Sequence, residues 1–159
     1  MPGYALELKN AIEKGTALLE QVGEEESRRP LKPGKWSARE VIGHLIDSAS
    51  NNHQRFVRAL FQEDLVFPGY DQDAWVSAQA YRDAPWRDLI AHWRLFNLHI
   101  ARLMETFPSA ELTRLRARHN LDAIAWKPVS RETPATLDYF MEDYVGHLKH
   151  HLNQVVALG

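Results

Sequence analysis

Tyr144-Val145-Gly146-His147-Leu148-Lys149-His150-His151-Leu152, near the C-terminal end, decides how the rest of the chain is read. Tyr144, Leu148 and Leu152 recur every four residues. The pattern continues upstream through Leu137, Phe140 and Met141 and downstream to Val155, which is the period of an amphipathic helix. Thr133-Pro134 supplies an N-cap followed by proline in the first turn, and the helix is predicted to run to about Ala157. His147 and His151 then share one face, one turn apart. His151 falls within the apolar face, His147 at its edge, and His150 on the opposite side. Two imidazoles on one rod are two ligands for a metal ion, and a third has to come from elsewhere.

The search upstream leads to a second helix with clear start signals. Ser37 and Glu40 fit a capping box, with Trp36 and Val41 as its hydrophobic staple. From there to about Gln62 the apolar arc is Val41, Leu45, Ala49, Phe56, Ala59 and Leu60. A polar stripe of His44, Ser48, Asn51 and Arg55 runs beside it, as on a helix that lines a wet cleft or simply at the boundary of any amphipathic helix. His44 sits at the edge of the apolar face, as His147 does on the last helix. If the two helices are neighbours, three imidazoles converge and leave a metal with open positions, which marks a reactive site. By ligand type zinc fits best, and imidazole also suits nickel, iron and copper. The competing reading is a set of core-edge histidines bonded to backbone, tyrosine or solvent.

Two further long helices complete the pattern. Leu8, Ile12, Leu19 and Val22 predict one over about residues 3–22, with Gly15 small enough to admit a neighbour. Asp83-Ala84-Pro85 opens another that runs to Phe107, burying Trp86, Leu89, Ile90, Trp93, Phe96, Ile100, Leu103, Met104 and Phe107. Asn97 lies inside that arc, while His92 and His99 lie outside it and are poor ligand candidates. Residues 63–85 form a long connection with a short helix expected from Ala74 to Tyr81. Residues 109–132 form another, with a helical piece over Ala110–Arg118, an extended stretch from Leu121 to Val129, and Trp126 packing over an end of the bundle. Four long amphipathic segments and almost no strand signal predict an all-α fold, an antiparallel four-helix bundle whose two long connections depart from the simplest form.

At 159 residues a single domain over 1–159 is expected. The hydrophobic fraction of 45% and charged fraction of 25% are those of an ordinary soluble globular protein. Nineteen basic and 21 acidic residues leave a net charge of -2, with no footprint for nucleic acid and no polybasic membrane anchor. No leader-like N-terminal run and no stretch near the roughly 20 apolar residues of a membrane span is visible, so a cytoplasmic location is expected. With no cysteine there are no disulfides, no thiolate ligands and no Cys nucleophile. A ferritin-like di-iron centre is disfavoured because no Glu stands three residues before a His. Covalent haem attachment lacks its cysteines, and no Gly-x-Ser-x-Gly turn supports a Ser-His-Asp triad.

The chain from Trp36-Ser37-Ala38-Arg39-Glu40-Val41-Ile42-Gly43 through His44-Leu45-Ile46-Asp47 resembles the helix-opening motif of the DinB/YfiT-like superfamily. Tyr70-Asp71-Gln72-Asp73-Ala74-Trp75 is similar to its loop after the second helix. Thr136-Leu137, followed by His147, His151 and Gln154, is similar to its closing helix. The resemblance implies a four-helix bundle of up-down-down-up type and a divalent metal held by three histidines, here His44, His147 and His151. It also implies a likeness to homodimeric members and to bacillithiol- and mycothiol-dependent S-transferases and isomerases.

The function expected is therefore that of a metal-dependent small-molecule enzyme, a transferase or hydrolase in which a low-molecular-weight thiol, or water, is activated. The cofactor expected is a divalent ion, zinc or nickel first, then iron or manganese. A non-catalytic metal-binding or sensor bundle is the alternative, and an inert bundle a further one. Asp47, one turn beyond His44, and Asp143, one turn before His147, are candidates to orient ligands, or else exposed helix charges. Arg55 is a candidate anion anchor, or a surface ion pair. Ser48, Asn51 and Tyr144 are expected to line the pocket, with Asp71, Asp73 and Trp75 at its rim.

Overall fold

In chain order the helices are α1 (Gly3–Leu19), α2 (Glu24–Arg28), α3 (Ala38–Ala59), α4 (Gln72–Ala78), α5 (Trp86–Thr106), α6 (Ser109–Thr113), α7 (Leu121–Ile124) and α8 (Leu137–Val155). A 3-10 turn occupies Tyr81–Asp83. This is a computed structural model that describes residues 2–159. The four long helices α1, α3, α5 and α8 form the bundle. Among the described residues there is no β-strand, only isolated bridges such as Arg116 to Ala135.

The start of α3 is the one its sequence announces. Ser37 Oγ accepts from the Glu40 amide at 3.3 Å, and Glu40 Oε1 accepts from the Ser37 amide at 3.0 Å. The start of α8 differs from expectation: Thr136, not Thr133, is the cap, its Oγ1 accepting from the Tyr139 amide at 3.0 Å. Ala135 is held in a bridge to Arg116, with amide-to-carbonyl bonds of 2.8 and 3.1 Å, so helix cannot begin before it. The same bridge stops helix in the 110–118 stretch, where only α6 forms. Residues 121–124, the first part of the stretch expected to be extended, are helical instead. The Asn120 carbonyl accepts from the Ala123 and Ile124 amides at 3.0 and 3.2 Å, winding α7. The first helix also ends at Leu19 rather than near residue 22, and α2 follows as a separate turn.

Side-chain contacts give the directions of the helices. Tyr4 bonds Asp138, while Gly15 faces Leu152, so α1 and α8 run parallel. Lys9 pairs with Glu105 and Val22 accepts from Trp86, so α1 and α5 are antiparallel. Arg39 reaches Ala84 and His53 packs on Phe96, so α3 and α5 are parallel. Phe56 packs on Phe140 while His44 meets His151, so α3 and α8 are antiparallel. The order is up-down-down-up, with α1 and α3 on one diagonal and α5 and α8 on the other.

Two glycines permit the closest approaches. A Cβ on Gly15 would lie 2.7 Å from Leu152 Cδ2 and 3.1 Å from Trp93. A Cβ on Gly43 would lie 2.2 Å from Tyr81 Cδ2, inside the ring that lies on the α3 backbone. That ring position lets the Tyr81 hydroxyl donate to Asp47 Oδ1 at 2.6 Å. No helix is long and apolar enough to cross a membrane among the described residues.

Gly43→Ala is expected to expel the Tyr81 ring and destabilise the fold by about 1–3 kcal/mol, the usual cost of overpacking. Gly3→Ala, where a Cβ meets nothing within 4 Å, serves as the control and should unfold within a few tenths of a kcal/mol of wild type in urea titrations.

Candidate metal centre

His44 comes from the second turn of α3, and His147 and His151 come from successive turns of α8. Because α3 and α8 are antiparallel neighbours, the three imidazoles meet. One ligand nitrogen from each lies within 4.8 Å of the others. His44 Nε2 is 3.3 Å from His147 Nε2. Two nitrogens held at about 2.05 Å from one tetrahedral ion stand roughly 3.3–3.4 Å apart, so this spacing suits a shared ion. His151 Nδ1 stands 3.0 Å from Gln154 Oε1, a bond in which Nδ1–H donates and Nε2 keeps its lone pair.

His44 is fully buried, and its Nδ1 bonds to no group of the protein. Trp36 covers it, ring centroids 5.1 Å apart. His119, also buried, shows what a packing histidine looks like here. Its Nε2 donates to the Thr133 carbonyl at 2.7 Å and its Nδ1 accepts from the Leu121 amide at 3.1 Å. His44 has no such closure. Burial pushes the His44 pKa down to about 4 and, with repulsion from His151, His44 and His150, the His147 pKa down to about 3. Burial lowers that of His151 as well. All three are neutral at physiological pH, the state in which imidazole offers a lone pair. The residues fit a divalent ion.

Two cavities approach the histidines. The first, of about 340 Å³, is lined by His147, Tyr144, Ser48, Asn52, Arg55 and Tyr70, among others. The second, of about 630 Å³, is lined by His151, Trp36, Lys32, Lys35, Asp73 and Gln154, among others. Trp126 walls the first cavity from the flank of α8 at Gly146, where an added Cβ would touch its ring at 3.0 Å, and not from an end of the bundle as expected.

The other expected site residues are distributed as follows. Asp47 is buried one turn from His44, but its Oδ1 accepts from Tyr81 and from Gln79 Nε2 at 2.9 Å, and no hydrogen bond joins it to His44. Burial raises its pKa. Asp143 accepts from the Trp126 and Lys127 amides at 2.8 Å each, so it ties residues 126–127 to α8 and does not orient His147. Ser48 and Tyr144 line the first cavity, and the Tyr144 hydroxyl donates to Asn97 Oδ1 at 2.5 Å. Asn51 does not line it; its amide donates to the Asp47 carbonyl, and the cavity is lined by Asn52 one position on. Asp71 caps α4 through the Ala74 amide at 3.1 Å. Asp73 borders the second cavity. Trp75 stacks on Tyr70 with centroids 5.1 Å apart. Asn52 was legible as the next step of the four-residue spacing His44, Ser48, Asn52. Trp126 had no periodic signal.

A helical bundle with three inward histidines on its second and last long helices defines the class. The model of the DinB superfamily matches residues 7–155, and the chain belongs to that superfamily. It is similar to YfiT of Bacillus subtilis strain 168, a protein named as a candidate metal-dependent hydrolase. The two are 26% identical over 129 residues, covering 81% of this chain and 67% of YfiT. A Geobacillus thermodenitrificans protein of the same description is 22% identical over 152 residues, covering 96% of this chain and 78% of its own. One from Oceanobacillus iheyensis is 33% identical over a 54-residue stretch, 34% of this chain and 31% of its own. The solved structure of Bacillus subtilis YfiT, reported as having an unusual four-helix bundle topology, matches with a TM-score of 0.77. The match has 22% identity, over 96% of this chain and 81% of that one, and the fold is shared.

The depressed pKa values make metal-free protein acid-sensitive. The unfolded chain, with histidine near 6.5, takes up protons that folded His44 and His147 refuse until about 4 and 3. Stability is then fully present above pH 6.5 and is lost as pH falls toward 4. Urea midpoints of chelator-treated protein should therefore drop between pH 7 and pH 4.5, and less steeply in His44→Phe. Equal slopes for the two proteins would contradict this assignment.

Proposed function

We propose that the protein is a metal-dependent enzyme acting on a small molecule, in which His44, His147 and His151 hold one divalent ion, zinc or nickel before iron or manganese. The observation that carries this reading is the convergence of the three imidazoles, one ligand nitrogen of each within 4.8 Å of the others and His44 Nε2 3.3 Å from His147 Nε2, in a chain whose other buried histidine is bonded at both nitrogens. A divalent ion bound there supplies Lewis acidity, which lowers the pKa of a water or thiol toward neutrality.

The chain's own residues prepare the site. Gln154 fixes the His151 ring, and Trp36 packs on His44 and keeps water from its buried side. Asp47 is proposed as a positioning residue: through Tyr81 and Gln79 it locks the corner before α5 onto the turn of α3 that follows His44. Asp73 and Lys35 border the cavity on the His151 side, while Tyr144 and Trp126 shape the one on the His147 side. Asp71 and Trp75 hold α4 at the edge of the site.

Two cavities that border different members of one trio suit two molecules, which favours transfer of a low-molecular-weight thiol to an electrophile. The chain has no cysteine, so the sulfur arrives with a cosubstrate. The thiol gives its proton to solvent water, sulfur forms a bond to the electrophilic carbon, and the leaving group or the opened bond takes the electron pair. Water as the nucleophile is the second reading, supported by the names of the Bacillus and Geobacillus relatives.

Metal analysis of protein purified without a histidine tag should find about one equivalent per chain in wild type and a small fraction of that in His147→Ala. Equal, trace contents in both proteins would end the metal reading. With monochlorobimane and a panel of small thiols, thiol-dependent conjugation above the rate of His44→Ala supports the transferase. A metal-loaded protein with neither conjugating nor hydrolytic turnover is a binder.

A further inference from the structure

Three arginines are buried in this protein, and they differ in what answers their charge. Arg39 donates to Glu24 Oε2 at 2.8 Å as well as to the Ala84 carbonyl. Arg116 donates to the Ala59 and Gln62 carbonyls and lies 3.5 Å from the Glu111 carboxylate. Arg55, 6% exposed, has neutral partners alone. Its Nη1 donates to Asn52 Oδ1 at 3.3 Å, its Nη2 donates to the Pro68 carbonyl at 2.9 Å, and its Cζ is 5.8 Å from the Tyr70 ring centroid. No ion pair among the described residues includes it. Asp143, the carboxylate on the same cavity, has both oxygens committed to the Trp126 and Lys127 amides.

A guanidinium stays protonated even where burial lowers its pKa, as it does for Arg55. Burying such a charge is unfavourable without a paired counter-charge, and Asp143, the carboxylate on the cavity wall, forms no ion pair with it. The wall does provide a second donor. Ser48 Oγ accepts from Asn52 Nδ2 at 3.3 Å, and its own O–H, which bonds the Tyr70 hydroxyl, can turn to an anion in the cavity. Phe56, next to Arg55, packs on Phe140 and Tyr144, so this end of the cavity lies three to seven residues of α8 from His147. At 1.5 Å per residue that is about 5–10 Å.

We propose that the 340 Å³ cavity selects small substrates bearing an anionic group, a carboxylate or a phosphate, which Arg55 holds with Ser48 while the reacting end faces His147. Asn52 is the positioning residue that aims the guanidinium. The proposal rests on the metal-dependent reading for what happens at the reacting end; the anion site itself stands on Arg55 and its cavity.

The test is equilibrium binding to metal-loaded protein, read by tryptophan fluorescence, since Trp126 walls the cavity. The probes are phenylacetate, phenyl phosphate and the neutral phenylacetamide. At least one anionic probe should bind about tenfold or more tightly than the amide in wild type, and which one does so separates carboxylate from phosphate. Arg55→Gln should lose that preference, while Arg55→Lys keeps part of it. Equal affinities in wild type, or a preference that survives Arg55→Gln because the anion sits on the metal, overturns the proposal. If Arg55→Gln fails to fold, Ser48→Ala takes its place and must weaken the anionic probe more than the amide. Metal content measured on the same samples keeps the two readings apart. Anion preference without metal removes the metal centre, and metal without anion preference removes the Arg55 site.

Discussion

The contact between α3 and α8 is the constraint on which everything else in this protein depends. His44 reaches His147 and His151 because these two helices are antiparallel neighbours. Had the four long helices followed one another around the bundle in chain order, α3 and α8 would stand on a diagonal and the histidines would not meet. Making them adjacent puts α5 parallel to α3, so the chain must travel back along the length of the bundle between them. That return is the first long connection, which carries α4, Tyr70 and the Tyr81 turn. It brings Gln79 and Tyr81 onto Asp47, and Tyr70 onto Arg55. The connection is long for a topological reason, and its aromatic residues become the wall of the site as a consequence.

The electrostatics of the interior follow the same geometry. Three imidazoles crowded in a region of low polarity hold one another neutral. Each lowers the basicity of its neighbours, and burial adds to the effect. Neutrality keeps a lone pair on each ring, and the Gln154 bond at His151 leaves Nε2 as the free nitrogen. The carboxylates near the histidines face the connections rather than the imidazoles. Asp143 accepts from two backbone amides, and Asp47 Oδ1 accepts from Tyr81 and Gln79 while its Oδ2 is buried without a partner among the described residues.

Much of this was legible in the sequence where a period or a cap carried it. The Ser37–Glu40 box, the apolar faces of the four long helices, Gly15 and the inward pair His147 and His151 were all readable from spacing. What failed was set by contacts remote in the chain. Thr136 caps α8 because Arg116, twenty residues upstream, bridges to Ala135. The 121–124 turn forms because Asn120 is itself anchored to Phe67, with bonds of 3.1 and 2.8 Å. Asn51 and Asn52 are adjacent on the border of the helix, and only the crossing of α3 over α8 decides which of the two faces the cavity. Local pattern cannot carry such information, since the deciding partner is dozens of residues away.

The bundle also contains its own internal comparison. It has buried histidines of two kinds, His119 with both nitrogens bonded and His44 with one left over. It has buried arginines of two kinds, Arg39 and Arg116 answered by glutamates and Arg55 answered by none. Arg116 keeps its ion pair although its Nε finds no partner, whereas Arg55 has no ion pair among the described residues. His44 stands against His147, and His147 lines the same cavity as Arg55. An inert core gains nothing from crowding three neutral imidazoles beside a cavity that holds an arginine without an ion pair. The site we propose, which takes an electron-pair acceptor at the histidines and an anion at Arg55, accounts for that combination.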